Sequence, residues 1–418
     1  MDSKKLTLST LDIMDDYDPN SMPVEQARQL IKQFLAPVSE TETIKVYDAF
    51  HRTLAVDLLS SMNVPPHDYS SMDGYAARHA DLAGSTNRLK KIGSSFAGHA
   101  FEGSVGPGEC VRIMTGATIP AGCDCVVMQE HAKAEGDTIE IGAGYKRGQN
   151  IRLVGEDIKQ GAVVLAKGQM IRPVEMGLLS SLGFNEISVY RKLKIAIFST
   201  GDELVQPGNA LSSGQIYDSN RFTLIGLLTE LGAEIIDMGN IRDDKEAIRA
   251  ALEKASNEAD VIITSGGASV GEADFIKQLL DEIGEVVFWK LAMKPGRPLA
   301  YGKIGKAHFF GLPGNPVAVM VTFLQFVRNA LWELMGQHPK PSFSFQAICT
   351  TPIKKAAGRT EFQRGILTQG DDGIWHVQTT GEQSSGILSS MSRANCFIVL
   401  PVEQGNVEKG SVVQIQLF

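Results

Sequence analysis

Short apolar runs alternate with amphipathic segments between residues 194 and 335. The apolar, β-branched runs are 194–198, 235–238, 261–263 and 308–310, and apolar residues recur at helical spacing in 220–231, 245–255, 275–283 and 317–335. Strands that alternate with helices predict a parallel, doubly wound sheet with right-handed crossovers. The chain from 191 to 338 is therefore expected to form one α/β domain.

The polar residues of this region collect in the loops that follow the predicted strands. These loops are 199–203, 242–244, 264–274 and 311–316, and they are rich in Asp, Glu, Ser, Asn, Gly and Pro. In open α/β sheets ligands bind outside the carboxyl ends of the strands, so all four loops should open on one edge. That edge is the predicted functional site.

The loop after the third predicted strand has the composition of an anion-binding turn. A glycine- and serine-rich loop before a helix N-terminus presents backbone N–H groups and the helix dipole to an anion. Asp274, in the first helical turn, is placed to help hold a metal ion beside that anion. The alternative is an ordinary tight turn with a helix-favouring acid. The residues expected to contact the anion are Ser265, Gly266, Gly267 and Ser269.

Charged residues of both signs belong to the predicted site. The acids on the edge are Asp202, Glu203, Asp218, Asp243, Asp244 and Asp274. Oxygen donors without a His or Cys cluster suit Mg²⁺, although helix N-caps are the alternative role. We expect two or three of the six to bind metal or to orient water. Lys290 and Lys294 should point to one side of an extended segment and neutralise an oxyanion, unless they are a solvated surface pair.

The rest of the chain has a different texture. Glycine-punctuated strand and turn patterns predict a small β module, and short-range alternation of apolar and polar residues predicts a terminal β-barrel or sandwich. The expected domains are a flexible lead-in at 1–20, an elongated mixed domain from 21–60 and 146–190, the inserted β module at 61–145, the α/β domain at 191–338 and the terminal β domain at 339–418.

Composition narrows the class of protein. The chain has 418 residues, so about two to four domains are expected, and its net charge of −8 argues against nucleic-acid binding. Five cysteines without paired spacing predict neither disulfides nor zinc, which fits a reducing, cytoplasmic compartment. No signal peptide and no membrane-spanning run is evident. No Ser/His/Asp triad, GxGxxG or Walker A motif is found, so metal-assisted chemistry on a phosphorylated anion is the prediction.

Several motifs together resemble the MoeA family, the molybdopterin molybdenumtransferases, from about residue 21 to the C-terminus. They are Ser-Met-Asp-Gly-Tyr-Ala at 71–76, Met-Thr-Gly-Ala at 114–117, Gly-Glu-Asp-Ile at 155–158, Ser-Thr-Gly-Asp-Glu-Leu at 199–204, Tyr-Asp-Ser-Asn at 217–220, Thr-Ser-Gly-Gly at 264–267, Lys-Pro-Gly at 294–296 and Leu-Pro-Gly-Asn-Pro at 312–316. Each motif is modest alone, whereas this many in this order is specific.

The resemblance implies a four-domain subunit with a MogA/MoaB-like α/β domain and a C-terminal β-barrel. It implies a homodimer whose active site lies between the α/β domain of one subunit and the inserted module of the other. It further implies that Mg²⁺, molybdate and adenylylated molybdopterin are used, that AMP and molybdenum cofactor are released, and that a MogA-like adenylyltransferase hands over the substrate.

Functional positions are carried over by motif. The resemblance implies catalytic roles for Asp73, Thr115, Asp157, Glu203, Asp243 and Asp274, of which Glu203, Asp243 and Asp274 would bind metal. It implies substrate-binding roles for Lys290, Lys294, Pro313, Pro316, Arg364 and Ser385. The motif does not fix which of Asp243 and Asp244 is critical. Many relatives have a histidine after the serine at Ser385, which this chain lacks.

Three alternatives remain open. The α/β region alone also fits adenylylation of molybdopterin, as in MogA, or pyrophosphate cleavage, as in CinA-like proteins. The Asp73 motif, the 155–158 turn and the terminal β domain argue against both, because those proteins lack all three. A scaffold similar to the E domain of gephyrin shares the architecture, but the sequence suggests no extra linker or oligomerising domain.

Overall fold

The computed structural model describes residues 21–266, 274–337 and 343–418, and its helices lie mainly in the α/β region. Within those residues the helices are α1 (Val24–Gln33), α2 (Pro173–Ser181), α3 (Ser219–Glu230), α4 (Lys245–Glu258), α5 (Asp274–Ile283), α6 (Pro316–Leu334) and α7 (Ser389–Arg393). Gly183, with a φ of 77°, lies just beyond α2 in the left-handed conformation that commonly ends a helix.

The strands fall into three regions of the chain. Before the α/β region they are β1 (Thr41–Lys45), β2 (Leu58–Leu59), β3 (Tyr69–Ser70), β4 (Gly74–Ala77), β5 (Thr86–Ser95), β6 (Glu109–Ile113), β7 (Cys125–Met128), β8 (Ala132–Glu135), β9 (Thr138–Gly142), β10 (Ile151–Arg152), β11 (Val163–Leu165) and β12 (Glu186–Tyr190). Within it they are β13 (Lys194–Thr200), β14 (Leu204–Val205), β15 (Ile216–Tyr217), β16 (Glu234–Ile241), β17 (Val261–Ser265), β18 (Gly284–Lys290), β19 (Met293–Lys294), β20 (Pro298–Ile304) and β21 (Ala307–Leu312). After it they are β22 (Ser344–Cys349), β23 (Thr360–Gln369), β24 (Trp375–Thr379), β25 (Cys396–Leu400) and β26 (Val412–Leu417).

The α/β sheet contains the four predicted parallel strands and two further strands that make it mixed. Its strand order is β16-β13-β17-β21-β20-β18. The first four strands are parallel, as predicted, whereas β20 and β18 run antiparallel to their neighbours. Only residues 305–306 separate β20 from β21, and two residues allow a hairpin but no crossover. No helical spacing occurs between residues 284 and 304, and a parallel connection would need a crossover helix there. This absence was the available signal for antiparallel strands.

The sheet is covered on both faces, as a doubly wound fold requires. One core joins Leu224 of α3 and Val321 of α6 to the sheet, and a second joins Leu252 of α4 and Leu280 of α5 to its other side. Helix α1 buries Ala27 in the first of these cores. Its partners there lie in the α/β region, although the predicted domain list groups it with the elongated segment.

Helix α6 is apolar because it is a core helix. Among the described residues it is the helix whose length and composition would allow it to cross a membrane, yet most of it is buried. It contains a π-helical turn at Phe323–Val327. Arg28 of α1 donates from Nε to the carbonyl oxygen of Gln325 over 3.1 Å and so occupies one of the carbonyls that the irregular turn exposes.

The remaining modules are all-β or mixed. The sheet between residues 74 and 142 has the order β7-β4-β6-β5-β9-β8. Strands β1 and β12, β2 and β11, and β3 and β10 form two-stranded sheets across the flanking segments. In the C-terminal region β23-β24-β22-β26-β25 close into a five-stranded barrel through pairing of β23 with β25, which confirms the predicted barrel.

Because His308 is buried, we expect the free energy of unfolding to fall at mildly acidic pH. Burial lowers the pKa of His308 to about 4, and the Tyr301 hydroxyl lies 3.3 Å from its Nδ1. Below about pH 6.5 the unfolded chain binds a proton that the folded chain refuses. Stability should therefore drop between pH 6.5 and 4 by up to about 1.4 kcal/mol per pH unit from this group. Urea unfolding of wild type and His308→Asn across that range measures it. Parallel curves for the two proteins would contradict the assignment.

Candidate functional site

A cavity of about 440 Å³ opens where the α/β sheet meets the C-terminal barrel. Three cationic side chains, Lys294, Arg297 and Arg359, contribute to its lining. Asn315 and Ser385 add polar groups from two further loops. Because Arg359 and Ser385 come from the terminal β domain, the cavity joins two modules that are far apart in sequence.

One hydrogen bond joins the barrel loop that carries Ser384 and Ser385 to the sheet edge, and two from Arg364 hold that loop and the helix after it within the barrel. The Ser385 carbonyl accepts a hydrogen bond from the backbone N–H of Val317, at the start of α6, over 3.1 Å. Arg364 donates from Nη2 to the Ser384 carbonyl and from Nε to the Ser390 hydroxyl, each over 3.0 Å. The sequence placed this loop nearby only through the family resemblance, since nothing in its spacing fixes where a barrel docks.

Arg364 lies behind the cavity wall. Its side chain is among the largest that are fully buried, and burial lowers its pKa to about 10. Its guanidinium donates to Ser384 and Ser390, and its backbone N–H donates to the Gln383 Oε1. The structure therefore gives Arg364 the geometry of a residue that supports the Ser384–Ser385 loop, while Ser385 itself faces the cavity.

The Pro-Gly-Asn-Pro turn forms the floor of the cavity. Pro313, Gly314 and Asn315 line it, and Pro316 occupies the first turn of α6, where a missing N–H costs nothing. Gly296, which also lines the cavity, has a φ of 91°, and a Cβ there would lie 2.4 Å from the Thr322 hydroxyl. Glycine is required at 296 because the turn packs directly on α6.

The structure separates the six acids into two groups. Asp218 caps α3 by accepting from the Arg221 N–H, and it is 2% exposed and ion-paired with the Arg221 guanidinium. Asp244 caps α4 by accepting from the Ala247 N–H over 2.9 Å. Both carry out the capping role that was the alternative to metal binding.

The other acids stay at the carboxyl edge. Asp202 accepts a hydrogen bond from the backbone N–H of Asp243 over 3.3 Å, which joins two successive loops, and Glu203 follows on the exposed surface. Asp274 begins α5, and its side chain lies outside the described residues, as do Gly267 and Ser269. Within the described part of the chain no group of three His, Cys, Asp or Glu side chains could hold a metal ion.

Asn220 joins the loops of the edge, although the sequence does not predict a site role for it. Its Nδ2 donates to the Ser265 hydroxyl over 2.8 Å and to the Gly314 carbonyl over 2.7 Å. Gly266 has a φ of 92°, and a Cβ added there would lie 2.9 Å from Thr200. The loop therefore packs closely on β13. The Tyr-Asp-Ser-Asn motif was the available signal for Asn220.

The two lysines do not lie on one extended strand, which corrects that expectation. Lys290 ends β18 and pairs with Pro298 in the α/β sheet, whereas Lys294 ends β19 and pairs with Glu361 of the barrel. The chain leaves one sheet and enters another between them. Lys294 nevertheless lines the cavity, with its Nζ 3.7 Å from Glu361.

Comparison with known proteins gives the family. Three family models match in chain order: the MoeA N-terminal region (domain I and II) at residues 22–183, the probable molybdopterin binding domain at 196–333 and the MoeA C-terminal region (domain IV) at 346–418. A molybdopterin molybdenumtransferase of Haemophilus influenzae is 47% identical over 95% of this chain and 98% of its own length. The chain belongs to the MoeA family.

Other members agree with this assignment. The chain is 33% identical to the molybdopterin molybdenumtransferase of Bacillus subtilis over 95% of this chain and 94% of that protein. A crystal structure of a molybdopterin biosynthesis MoeA protein from Pyrococcus horikoshii OT3 superimposes with a TM-score of 0.82 at 32% identity, covering 96% of this chain and all of the other. Membership in the MoeA family places the chain among the enzymes of molybdenum cofactor biosynthesis.

The remaining residues implied by the MoeA resemblance lie outside the α/β region. Asp73 accepts from the Thr115 backbone N–H over 2.8 Å and from the Thr115 hydroxyl over 2.7 Å, and these bonds lower the pKa of Asp73. Asp157 is exposed on the 155–158 turn. Between described residues, no hydrogen bond or ion pair is seen that joins Asp73, Thr115 or Asp157 to the α/β sheet of the same chain.

Asp243 and Asp244 should respond differently to alanine substitution. Asp244→Ala removes a helix cap and is expected to lower the free energy of unfolding by about 1 kcal/mol with little change in turnover. Asp243→Ala, which removes the acid beside Asp202, is expected to lower turnover about a hundredfold with little change in stability. Urea unfolding and steady-state kinetics on both variants measure this. The reverse pattern would assign the site to Asp244.

Proposed function

We propose that this enzyme inserts molybdate into adenylylated molybdopterin, with hydrolysis of the adenylate and release of AMP and molybdenum cofactor. The supporting observation is the cavity of about 440 Å³ that concentrates Lys294, Arg297 and Arg359 in a chain whose net charge is −8. Both molybdate and a phosphorylated pterin are anions. Local cations within a shaped cavity bind such groups through charge-assisted hydrogen bonds.

The roles of the cavity residues follow from their chemistry. The ammonium group of Lys294 and the guanidinium groups would bind oxyanion oxygens, and the Ser385 hydroxyl would donate a further hydrogen bond. Pro313 and Pro316 fix the shape of the floor. Lys290, at the end of β18, would contribute positive charge to the same edge.

Mg²⁺ fits the donors available at the edge. Glu203, Asp243 and Asp274 offer only carboxylate oxygens, the hard donors that Mg²⁺ prefers, and it commonly uses one or two of them with substrate phosphates. When bound, it would neutralise charge on the phosphates as the adenylate is cleaved. Asp202 would orient the Asp243 loop through the hydrogen bond between them.

A homodimer would supply the remaining residues. Asp73, Thr115 and Asp157 would reach the site from the partner subunit, because the described contacts do not bring them to the sheet of their own chain. The surface around them is suited to burial: Met72, Leu153 and Val154 are 40%, 55% and 47% exposed. The antiparallel pairing of β3 with β10 brings together the two chain segments that carry these residues.

The proposal extends to the cellular setting. We expect a cytoplasmic enzyme that receives adenylylated molybdopterin from a MogA-like adenylyltransferase. Molybdopterin adenylylation, CinA-like pyrophosphatase activity and a gephyrin-like scaffold are less consistent with relatives named molybdopterin molybdenumtransferase that match along 94–98% of their length.

Lys294→Met is expected to raise the KM for molybdate about tenfold to a hundredfold, because one charge-assisted bond to the oxyanion is lost. AMP released from adenylylated molybdopterin at increasing molybdate measures the change. Lys306→Met is the matched control, since Lys306 is exposed in the turn between β20 and β21 at the opposite end of the sheet. Equal kinetics for the two variants would refute the anion-binding role of the cavity.

Mixing two impaired variants tests the shared site. At a molybdate concentration far below the raised KM of Lys294→Met, Asp73→Asn and Lys294→Met each impair every site of their own homodimer. After subunit exchange at equal amounts, half of the dimers are mixed and each contains one intact site, so about a quarter of wild-type activity should return. AMP release before and after exchange measures this. If activity stays at the level of the separate variants although mixed dimers have formed, Asp73 and Lys294 serve the same subunit's site.

A further inference from the structure

Glu361 is a buried carboxylate that lies directly beneath the cationic wall of the cavity. Its side chain is 4% exposed, and its Oε1 lies 3.7 Å from the Nζ of Lys294, whose side chain is 47% exposed. The two residues are register partners in the parallel pairing of β19 with β23. The contact therefore joins the α/β region to the barrel at the cavity.

The carboxylate is held firmly in this position. Gln363, two residues along the same strand and 5% exposed, donates from Nε2 to the Oε2 of Glu361 over 2.7 Å. The oxygen next to Lys294 is thereby directed towards the cavity. Lys355, which is 6% exposed, is a second cation that interacts with the charge of Glu361, and its Nζ donates a hydrogen bond to the Gln404 carbonyl over 2.7 Å. Of the two lysines near Glu361, Lys294 is the partly exposed one, and an incoming ligand can reach it.

Burial gives this pair an influence that a surface ion pair lacks. A carboxylate taken out of water is costly unless a cation stays close, so Glu361 restrains Lys294 near the barrel wall. Glu361 also places one negative charge behind a group proposed to bind anions. It should therefore weaken the binding of any simple oxyanion while keeping the ammonium group in a defined position.

We propose that Glu361 is a positioning residue for Lys294 and a counter-charge that limits the affinity of the cavity for inorganic oxyanions. The inference rests on the proposed function, in that Lys294 contacts molybdate. An isolated ammonium group would bind phosphate or sulfate, which resemble molybdate in charge and shape, more tightly. With Glu361 behind it, an anion must replace part of the attraction between Lys294 and the carboxylate.

Two substitutions separate position from charge. Glu361→Gln keeps the size of the side chain and removes the charge, so the dissociation constant for inorganic molybdate should fall about threefold to tenfold while kcat falls about tenfold. Glu361→Asp keeps the charge and withdraws it by one methylene, so kcat should fall while molybdate affinity stays within about twofold. Glu382→Gln is the matched control, because Glu382 is an exposed carboxylate just before the loop residues Ser384 and Ser385.

The measurements are isothermal titration of the dimeric enzyme with sodium molybdate and with sodium phosphate, AMP release kinetics, and thermal unfolding. Tighter binding of both anions with slower turnover in Glu361→Gln, absent from Glu382→Gln, supports the proposal. Unchanged anion affinity in Glu361→Gln, or an equal change in the control, overturns it. If Glu361→Gln does not fold, Glu361→Asp decides, since unchanged kcat there overturns the positioning role.

The failure of this inference can be told from failure of the proposed function. Lys294→Met tests the proposed function alone, because it removes the group that would contact the anion. If Lys294→Met weakens molybdate binding while Glu361→Gln behaves as the control does, only the inference about Glu361 fails. If Lys294→Met leaves molybdate binding unchanged, the proposed anion site itself is wrong.

Discussion

The five-residue segment from Lys290 to Lys294 is the point at which the modules are joined. The N–H of Met22 donates to the Lys290 carbonyl over 2.9 Å, and the N–H of Ala292 donates to the Met22 carbonyl over 2.8 Å. The N–H of Thr360 in turn donates to the Ala292 carbonyl over 2.8 Å. A short run of backbone therefore connects the first helix, the α/β sheet and the barrel. Because its amides and carbonyls are satisfied by the backbone at Met22 and at Thr360, the cavity beside it has a fixed shape.

This arrangement explains which parts of the fold were predictable. Local patterns are sufficient for β13, β16, β17 and β21, because buried parallel strands are apolar runs and their helices repeat with a period of 3.6. Capping is also local, so Asp218 and Asp244 could be named as cap candidates. The choice between cap and site required coordinates, since Asp243 and Asp244 are adjacent and chemically identical.

Long-range placement was not predictable from local patterns. The residue pattern of 289–298 predicts an extended segment. Nothing in its composition indicates that Lys290 and Lys294 belong to different sheets. Helix α1 has an apolar face, yet nothing in that face encodes that it packs against the α/β core. Docking of the barrel depends on contacts such as Val317 with Ser385, which are 68 residues apart. Only the family resemblance linked Ser385 and Arg364 to the site.

Arg364 illustrates why a functional position and a contacting position differ. A guanidinium that is 1% exposed cannot present its charge to a ligand in the cavity, and its pKa is lowered because burial penalises that charge. The free-energy cost of burying this charge is offset by hydrogen bonds from Arg364 to Ser384 and Ser390. These bonds fix the loop that contacts α6. Removing Arg364 would leave these acceptors without a donor and release Ser385 from the wall. Lys294, Arg297 and Arg359, which line the cavity, are the groups that can contact an anion directly. Buried residues such as Arg364 therefore fix the walls of the cavity, whereas the accessible cations are placed to bind an anion.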